Sequence, residues 1–293
     1  MPRPTPLSGF PEFLPSGRIV EQRVLASLAD TFELHGFASI ETRAVETMES
    51  LTRKGEIDKE VYVVRRLHAE PHAADELGLH FDLTVPFARY VLENAGRLVF
   101  PFRRYQIQKA WRGERPQEGR YREFLQADID IVGQDALAAH HDVELPLVTL
   151  EALEKLHRDF RVPPVQMSVN NRQLSEGFYL GLGAEDPMAV LQRVDKLDKI
   201  GPAAVAELLR RIGLSPAAAQ LCLDLATIRS EDESFVERVQ ALGVEHPLLE
   251  AGLASLAQVV RTAAALVPGR LAVSYTHLRA HETDSYLVCR LLL

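Results

Sequence analysis

Apolar residues recur with a helical period near the start of the chain. From Ser16 to Gly36 they stand about 3.6 residues apart, which predicts an amphipathic helix that stops at the glycine. The apolar positions are Ile19, Val20, Leu25, Leu28, Phe32 and Leu34. The alternation from Phe37 to Val45 predicts a strand. The polar stretch from Arg65 to Gly78 predicts a surface loop or a loose hairpin.

Two apolar, β-rich runs flank a short charged loop between Phe102 and Gly133, and the pattern predicts a hairpin. Gly113, Pro116 and Gly119 interrupt the loop's backbone. The loop's charged residues are Arg112, Glu114, Arg115, Arg120 and Arg122, and an aromatic and an amide, Phe124 and Gln126, follow as the second run begins. Guanidinium groups bind phosphate oxygens in pairs, so this density predicts a site for a polyanion. A solvated charged hairpin is the alternative.

The second half of the chain has a different composition. The strand-like run VPPVQMSVNNRQL leads into an Ala- and Leu-rich region from Ser175 to Gly269. Its helical periods are broken at Gly183, Gly201–Pro202, Gly213–Pro216 and Gly243, which predicts a bundle of short helices. We therefore divide the chain into a core over residues 1–172, an inserted helical domain over 173–271 and a tail over 272–293.

The tail from Val273 to Leu293 has neither a helical nor a strand period. VSYTHLRAHET is similar to the translation of a transposon-end sequencing adaptor, and LVCRLLL to the flanking primer site read in frame. We expect this tail to contribute nothing to the fold, and we assign no role to Arg279. A divergent natural C-terminus is the alternative.

Composition narrows the class of protein. A hydrophobic content of 46% and a charged content of 25% are typical of a soluble globular protein. No apolar run reaches the roughly 20 residues that cross a bilayer, and the N-terminus lacks a signal peptide's apolar core. Cys222 and Cys289 are too few for a disulfide framework, which favours the cytoplasm. The net charge of −8 argues against a protein that coats nucleic acid in general but permits a local basic site.

His68 and His72 have no carboxylate or cysteine partner at the sequence spacing of a metal site, and we expect no resident metal.

Three segments carry a resemblance to a known family. RGERPQEGRYREF, followed by QADID, resembles motif 2 of the class II aminoacyl-tRNA synthetases, and in detail that of the histidyl-tRNA synthetase family. LHFDLTVPFARYV, from Leu79 to Val91, is similar to that family's first histidine-contacting segment, and the start of the chain is similar to its motif 1. The resemblance runs from Pro6 to Leu271. It implies an α+β fold, with a mainly antiparallel, six-stranded type of sheet flanked by helices, a helical insertion and a homodimer.

The resemblance also implies a reaction in which ATP activates histidine for transfer to tRNA(His). Attack of a carboxylate on a phosphate brings two anions together, so the site must supply positive charge. Arg112 would bridge the histidine carboxylate and the α-phosphate. The other implied nucleotide contacts are Phe124 at the purine face, Glu114 at the adenine amino group or a metal-bound water, and Arg120 and Arg122 at the outer phosphates. Mg²⁺ would screen the remaining charge.

Acceptors for histidine are implied by the same resemblance. Asp82, Thr84 and Gln126 match positions around the α-ammonium group, and Asp130 matches the position that faces the imidazole ring. The alternative for Asp130 and its neighbour Asp128 is an outward-facing strand edge. Contacts to tRNA are implied for Arg115 and Gln117 at the loop tip and, more weakly, for Lys196 and Lys199.

The chain departs from the family pattern in two places. Ala44 stands near the position where motif 1 usually has a proline, and the family's second histidine-binding arginine, its tyrosine pair and motif 3 are missing. We therefore expect an incomplete sheet and no activity from the 293 residues alone. Two other functions stay open: a non-catalytic, histidine-sensing regulatory subunit of ATP phosphoribosyltransferase, and an acidic helical scaffold. The scaffold leaves the arginine loop unexplained.

Overall fold

The computed structural model describes residues 5–53, 60–68, 76–117, 119–275 and, for the backbone, 287–292. The chain forms two compact units, Met1–Leu137 and Ala138–Leu293. Within the described residues, no helix combines the length and the apolarity needed to span a membrane.

The first unit alternates short strands and helices around one long hairpin. Its elements are α1 (Pro15–Leu34), β1 (Ala38–Ser39), β2 (Val45–Thr47), α2 (Met48–Thr52), β3 (Val63–Val64), β4 (Leu77–Leu79), α3 (Thr84–Asn94), a 3₁₀ turn (Ala95–Arg97), β5 (Phe102–Trp111) and β6 (Glu123–Val132). The helix predicted at the start of the chain is confirmed as α1. It stops where Gly36 takes a φ of +76°, a left-handed conformation that glycine adopts without strain.

The strand predicted from Phe37 to Val45 is wrong as a single element. The chain forms β1 beside β5 and then β2 beside β4, in different sheets. Between them, side-chain amides replace the backbone ladder at Thr42. Its N–H donates to Gln108 Oε1 at 3.2 Å, and its carbonyl accepts from Gln108 Nε2 at 2.7 Å. The polar side chain of β5 therefore ends the pairing that apolar alternation predicts.

The sheets of this unit are antiparallel except at one edge. β5 pairs with β6 along its whole length, and β1 adds in parallel to the other side of β5. A second sheet has the order β2-β4-β3. The prediction of an α+β fold with antiparallel sheets flanked by helices is confirmed. The single six-stranded sheet is not seen, because β6 is an edge strand and the remaining described strands belong to other sheets.

The second unit is mostly helical. Its elements are α4 (His140–Phe160), β7 (Gln166–Asn171), α5 (Arg172–Gly181), α6 (Pro187–Val194), α7 (Leu197–Ile200), α8 (Pro202–Arg211), α9 (Pro216–Thr227), β8 (Arg229–Ser230), α10 (Ser234–Gln240), α11 (Pro247–Leu266), β9 (Leu271–Ser274) and β10 (Leu287–Leu292). The predicted breaks are confirmed, since Gly183, Gly201, Gly213 and Gly243 lie between helices with positive φ. Asn171, Asp186 and Ser215 cap the helices that follow them through side-chain oxygens.

The predicted start of the tail, Val273, falls within β9. Val273 is fully buried there, β9 pairs in parallel with β7, and Tyr275 is 1% exposed. The side chains of Leu271 and Val273 pack in the core of the second unit, and the non-native origin of the tail stays a prediction. The backbone of β10 pairs antiparallel with β7, and residues 276–286, Arg279 among them, lie outside the described residues.

Two glycines allow α5 and α11 to pack at very short range. A Cβ atom built on Gly177 would lie 2.2 Å from Leu249 N, and one on Gly252 would lie 2.3 Å from Leu174 N. Both neighbours are backbone atoms, which cannot rotate away. The contact between the two helices therefore requires glycine at both positions.

We expect Gly177→Ala and Gly252→Ala each to lower the free energy of unfolding by about 1–3 kcal/mol, because the helices must separate to admit a methyl group. Urea unfolding followed by circular dichroism measures the change. Gly96→Ala is the control, since a Cβ there meets no atom within 4 Å. Equal midpoints for all three variants would contradict the packing argument.

Candidate functional site

One face of the β5–β6 hairpin carries most of the polar side chains singled out by the sequence. Side chains alternate along a strand, so cross-strand partners share a face. The pairs on this face are Ala110 with Phe124, Gln108 with Gln126, Gln106 with Asp128 and Arg104 with Asp130. Arg112 follows on the same face, at the end of β5. The face therefore presents a guanidinium at the loop end and carboxylates at the opposite end.

Arg112 is fixed by three contacts. Its Nε donates to the carbonyl of Phe81 at 3.0 Å, its guanidinium carbon lies 5.0 Å from the centre of the Phe124 ring, and its backbone N–H donates to Arg122 O at 2.9 Å. Its Nη1 and Nη2 groups have no partner among the described residues. The side chain is thus held in place with its outer donors available to an anion.

The segment around Phe81 is itself anchored to β5. His80 is fully buried, its Nε2 lies 2.7 Å from Lys109 O, and its carbonyl accepts from Trp111 N at 3.1 Å. Two residues further on, Asp82 Oδ1 accepts from Val85 N at 3.3 Å as α3 begins. Thr84 is the first residue of that helix and is exposed. These contacts anchor to β5 the segment that leads into Asp82 and Thr84.

The N-terminal segment braces the loop, which the sequence analysis did not foresee. The carbonyl of Gly9 accepts from Arg122 N at 2.7 Å and from Glu123 N at 3.1 Å. Gly9 has a φ of +85°, and a Cβ there would lie 2.9 Å from carbon atoms of Arg122 and Pro116. A glycine followed by an aromatic is too weak a signal to predict such a contact.

The charged side chains of the loop differ in how they are held. The Arg122 guanidinium is already bonded to backbone, with Nε donating to Glu114 O at 3.1 Å and Nη1 to Ser8 O at 3.4 Å. Arg120, 57% exposed, forms an ion pair with Glu114 at 3.4 Å. Arg115 and Gln117 are exposed near the tip, and the next residue, Glu118, lies outside the described residues.

The acidic end of the face is built around a buried arginine. Arg104 is fully buried, forms an ion pair with Asp130 and stacks over Phe87 of α3 at 4.0 Å. Its Nε and Nη1 have no hydrogen-bond partner among the described residues. Burial lowers the pKa of Arg104, and the carboxylates of Asp130 and Asp128 oppose that shift. The Asp130 side chain stays 41% exposed, so it remains accessible to a ligand.

Asp128 completes this end. Both of its carboxylate oxygens accept from Gln126 Nε2, at 3.0 and 3.1 Å. Burial raises the pKa of Asp128 to about 6; Arg104 opposes the shift, and Asp130 and Asp82 add to it. Asp82 adds to the shift, so its carboxylate lies near that of Asp128. The carboxylates make this end of the face suited to a ligand cation.

The structure thus brings together the predicted residues Arg112, Phe124, Gln126 and Asp130, with Asp82 and Thr84 alongside. Asp128 and Arg104 belong to the same face but had no predicted role. Strand alternation from Gln126 could have pointed to Asp128, and the cross-strand pairing with Asp130 could have pointed to Arg104. Within the described residues, no group of three or more His, Cys, Asp or Glu side chains has the arrangement of a metal site.

The chain is similar to proteins of a known family. A family model described as histidyl-tRNA synthetase matches residues 9–288. A histidine–tRNA ligase of Cutibacterium acnes is 68% identical over 276 residues, which cover 92% of this chain and 61% of the relative. The chain therefore spans about 61% of that relative's length.

Two solved structures share the fold. The crystal structure of histidyl-tRNA synthetase from Nostoc sp. PCC 7120 aligns with a TM-score of 0.82 at 28% identity, over 99% of this chain and 65% of that one. A structure titled as an ATP phosphoribosyltransferase regulatory subunit/histidyl-tRNA synthetase from Bacillus halodurans C also has a TM-score of 0.82. Its identity is 16% over all of this chain and 73% of that one, so it is similar in fold alone.

The motif 2 hairpin, the segment that anchors it and the family match over residues 9–288 together establish that the chain belongs to the histidyl-tRNA synthetase family.

Proposed function

We propose that this chain is part of a histidine–tRNA ligase, which joins histidine to ATP as an adenylate and then transfers it to tRNA(His). The observation that carries the proposal is the single hairpin face that holds Arg112 at one end and the Asp128–Asp130 carboxylates at the other. Histidine carries the complementary groups. Its carboxylate complements Arg112, and its α-ammonium group and imidazole N–H complement the carboxylates. Such a face orients the amino acid with its carboxylate toward the nucleotide.

Arg112 carries the chemical step in this proposal. The histidine carboxylate attacks the α-phosphorus of ATP, the new bond is an acyl phosphate, and pyrophosphate leaves with the electrons of the broken P–O bond. Both reactants are anions, so a fixed guanidinium lowers their repulsion and stabilises the charge of the transition state. The contacts to Phe81 and Phe124 hold the guanidinium in place before the substrates arrive. No nucleophilic side chain is required.

The loop would hold the rest of ATP. Phe124 offers a ring face to the adenine and Glu114 an acceptor to its amino group, while Arg120 and Arg122 approach the outer phosphates. The ion pair between Arg120 and Glu114 exchanges for phosphate when ATP binds, and at 57% exposure of Arg120 this costs little. Mg²⁺ would bind with the phosphates and screen their remaining charge. As the alternative to the adenine contact, Glu114 would accept from a water bound to that Mg²⁺.

Histidine would bind at the acidic end. Asp82, Thr84 and Gln126 would surround the α-ammonium group, and Asp130 would accept from the imidazole N–H. Burial raises the pKa of Asp130, and the ion pair with Arg104 opposes that shift and fixes one of the carboxylate oxygens. A ring that cannot donate would leave the second carboxylate oxygen of Asp130 without a donor, which is how such a site rejects isosteres.

The second half-reaction involves the tip of the loop. Arg115 and Gln117 are exposed there and would contact the first base pair and the extra 5′ guanosine of tRNA(His).

A homodimer through α1 is part of the proposal, supported by the exposed apolar side chains of Ile19 and Val20 on that helix. The substrates ATP and tRNA occur in the cytoplasm, where we propose that the ligase acts.

Arg112→Ala should lower histidine-dependent ATP–pyrophosphate exchange by about 100- to 1,000-fold, because a fixed cation is lost from the transition state. The assay uses residues 1–271 of this chain followed by the segment of the Cutibacterium acnes ligase that continues from the position aligned with Leu271. Arg115→Ala is the control: exchange should stay within twofold of the parent, while transfer to tRNA falls. Normal exchange in the Arg112 variant would overturn the proposed role.

Titration with ATP separates the ligase from a histidine-sensing regulatory subunit. Retention of Arg112, Glu114, Arg120, Arg122 and Phe124 favours the ligase, since a sensor needs no ATP clamp. We expect calorimetry of the completed chain to show binding of both ATP and histidinol. Binding of histidinol with no heat from ATP, in the presence of Mg²⁺, would instead support the sensor.

A further inference from the structure

Gln126 has one end of its side-chain amide bonded and the other end open. Its Nε2 donates to both oxygens of Asp128, at 3.0 and 3.1 Å. Its Oε1 is buried and accepts no hydrogen bond from any described residue. A buried acceptor without a donor is costly, which is typical of a place that a ligand fills.

The cross-strand neighbour of Gln126 does not supply the missing donor. Gln108 lies directly opposite, but its Nε2 donates to Thr42 O at 2.7 Å. Its Oε1 accepts from Gln106 Nε2 at 2.6 Å and from Thr42 N at 3.2 Å. The amides of β5 are thus engaged with each other and with Thr42, and Oε1 of Gln126 is left to a ligand that donates.

An amide can turn over, which exchanges its donor and acceptor ends with almost no change of shape. A carboxylate opposite one end prevents this exchange, because it can only accept. Asp128 therefore selects the orientation in which Nε2 points toward it and Oε1 points away. An ammonium group has three donors and no acceptor, so this orientation is the one that binds it.

We infer that Asp128 is a positioning residue for the substrate's amino group, acting through Gln126. This inference rests on the proposed function and extends it to a residue that the family resemblance did not single out. Asp128 sets the amide of Gln126 so that its oxygen accepts from the α-ammonium, and the site thereby distinguishes an amino acid from an imidazole acid that lacks the amine.

The test compares Asp128→Asn with its parent in the completed chain used for the exchange assay. Asparagine has the same shape but can donate or accept, so both orientations of Gln126 become available. We expect the KM for histidine to rise about tenfold, which corresponds to the loss of one directed hydrogen bond. The kcat of exchange and the KM for ATP should stay within twofold. Asp135→Asn is the control for the loss of one negative charge, because Asp135 lies beyond the end of β6 and is exposed. This substitution should leave the KM for histidine unchanged.

Two further measurements distinguish positioning from a general structural effect. The inhibition constant of 3-(imidazol-4-yl)propionate, which lacks the amine, should change less than twofold in Asp128→Asn. In a Gln126→Leu background, Asp128→Asn should add nothing further to the KM for histidine, because its route of action is gone.

An equal loss of affinity for histidine and for the amine-free analogue would overturn the inference. Additive effects of Gln126→Leu and Asp128→Asn on the KM for histidine would overturn it as well. A parent without any histidine-dependent exchange would instead refute the proposed function, and the inference with it. Normal exchange in the parent, combined with an unchanged KM in Asp128→Asn, refutes the inference alone.

Discussion

The ten-residue register between β5 and β6 is the constraint on which the site depends. A shift by one residue would turn Gln126, Asp128 and Asp130 to the opposite face and separate them from Arg112. Backbone pairing along the full length of both strands, together with the brace from Gly9 at the loop, prevents that shift. The chemistry proposed for this face thus follows from a rigid two-stranded frame.

Arg112 is kept from neutralising the carboxylates at the other end of this frame. Arg112 is held at the loop end by Phe81 and Phe124, whereas Arg104 is committed to Asp130 at the other end. In a ligand-free pocket, charged side chains that can move form ion pairs with each other. These ion pairs must break when a ligand binds. Here each partner is already fixed, so a zwitterionic ligand meets groups that need little rearrangement.

The parts of this fold that could be predicted from sequence are those with a strong local signal. Helical periodicity located α1, and glycines located the breaks between the later helices. The arginine loop and its flanking β-rich runs located the hairpin. The strand predicted through Thr42 failed because side-chain amides of β5 replaced backbone pairing there. Apolar alternation carries no information about such long-range polar contacts.

Arg104 illustrates why the interior of the site was harder to predict than its rim. In sequence it is one more arginine beside a strand, and exposure is the usual state of such a residue. Its burial is stabilised by Asp130, which lies opposite through the register, and by Phe87, which α3 brings over it. The charge of Arg104 in turn opposes the rise that burial causes in the pKa of Asp128 and of Asp130. A buried cation that nothing local predicts therefore helps to decide which ligand the acidic end can bind.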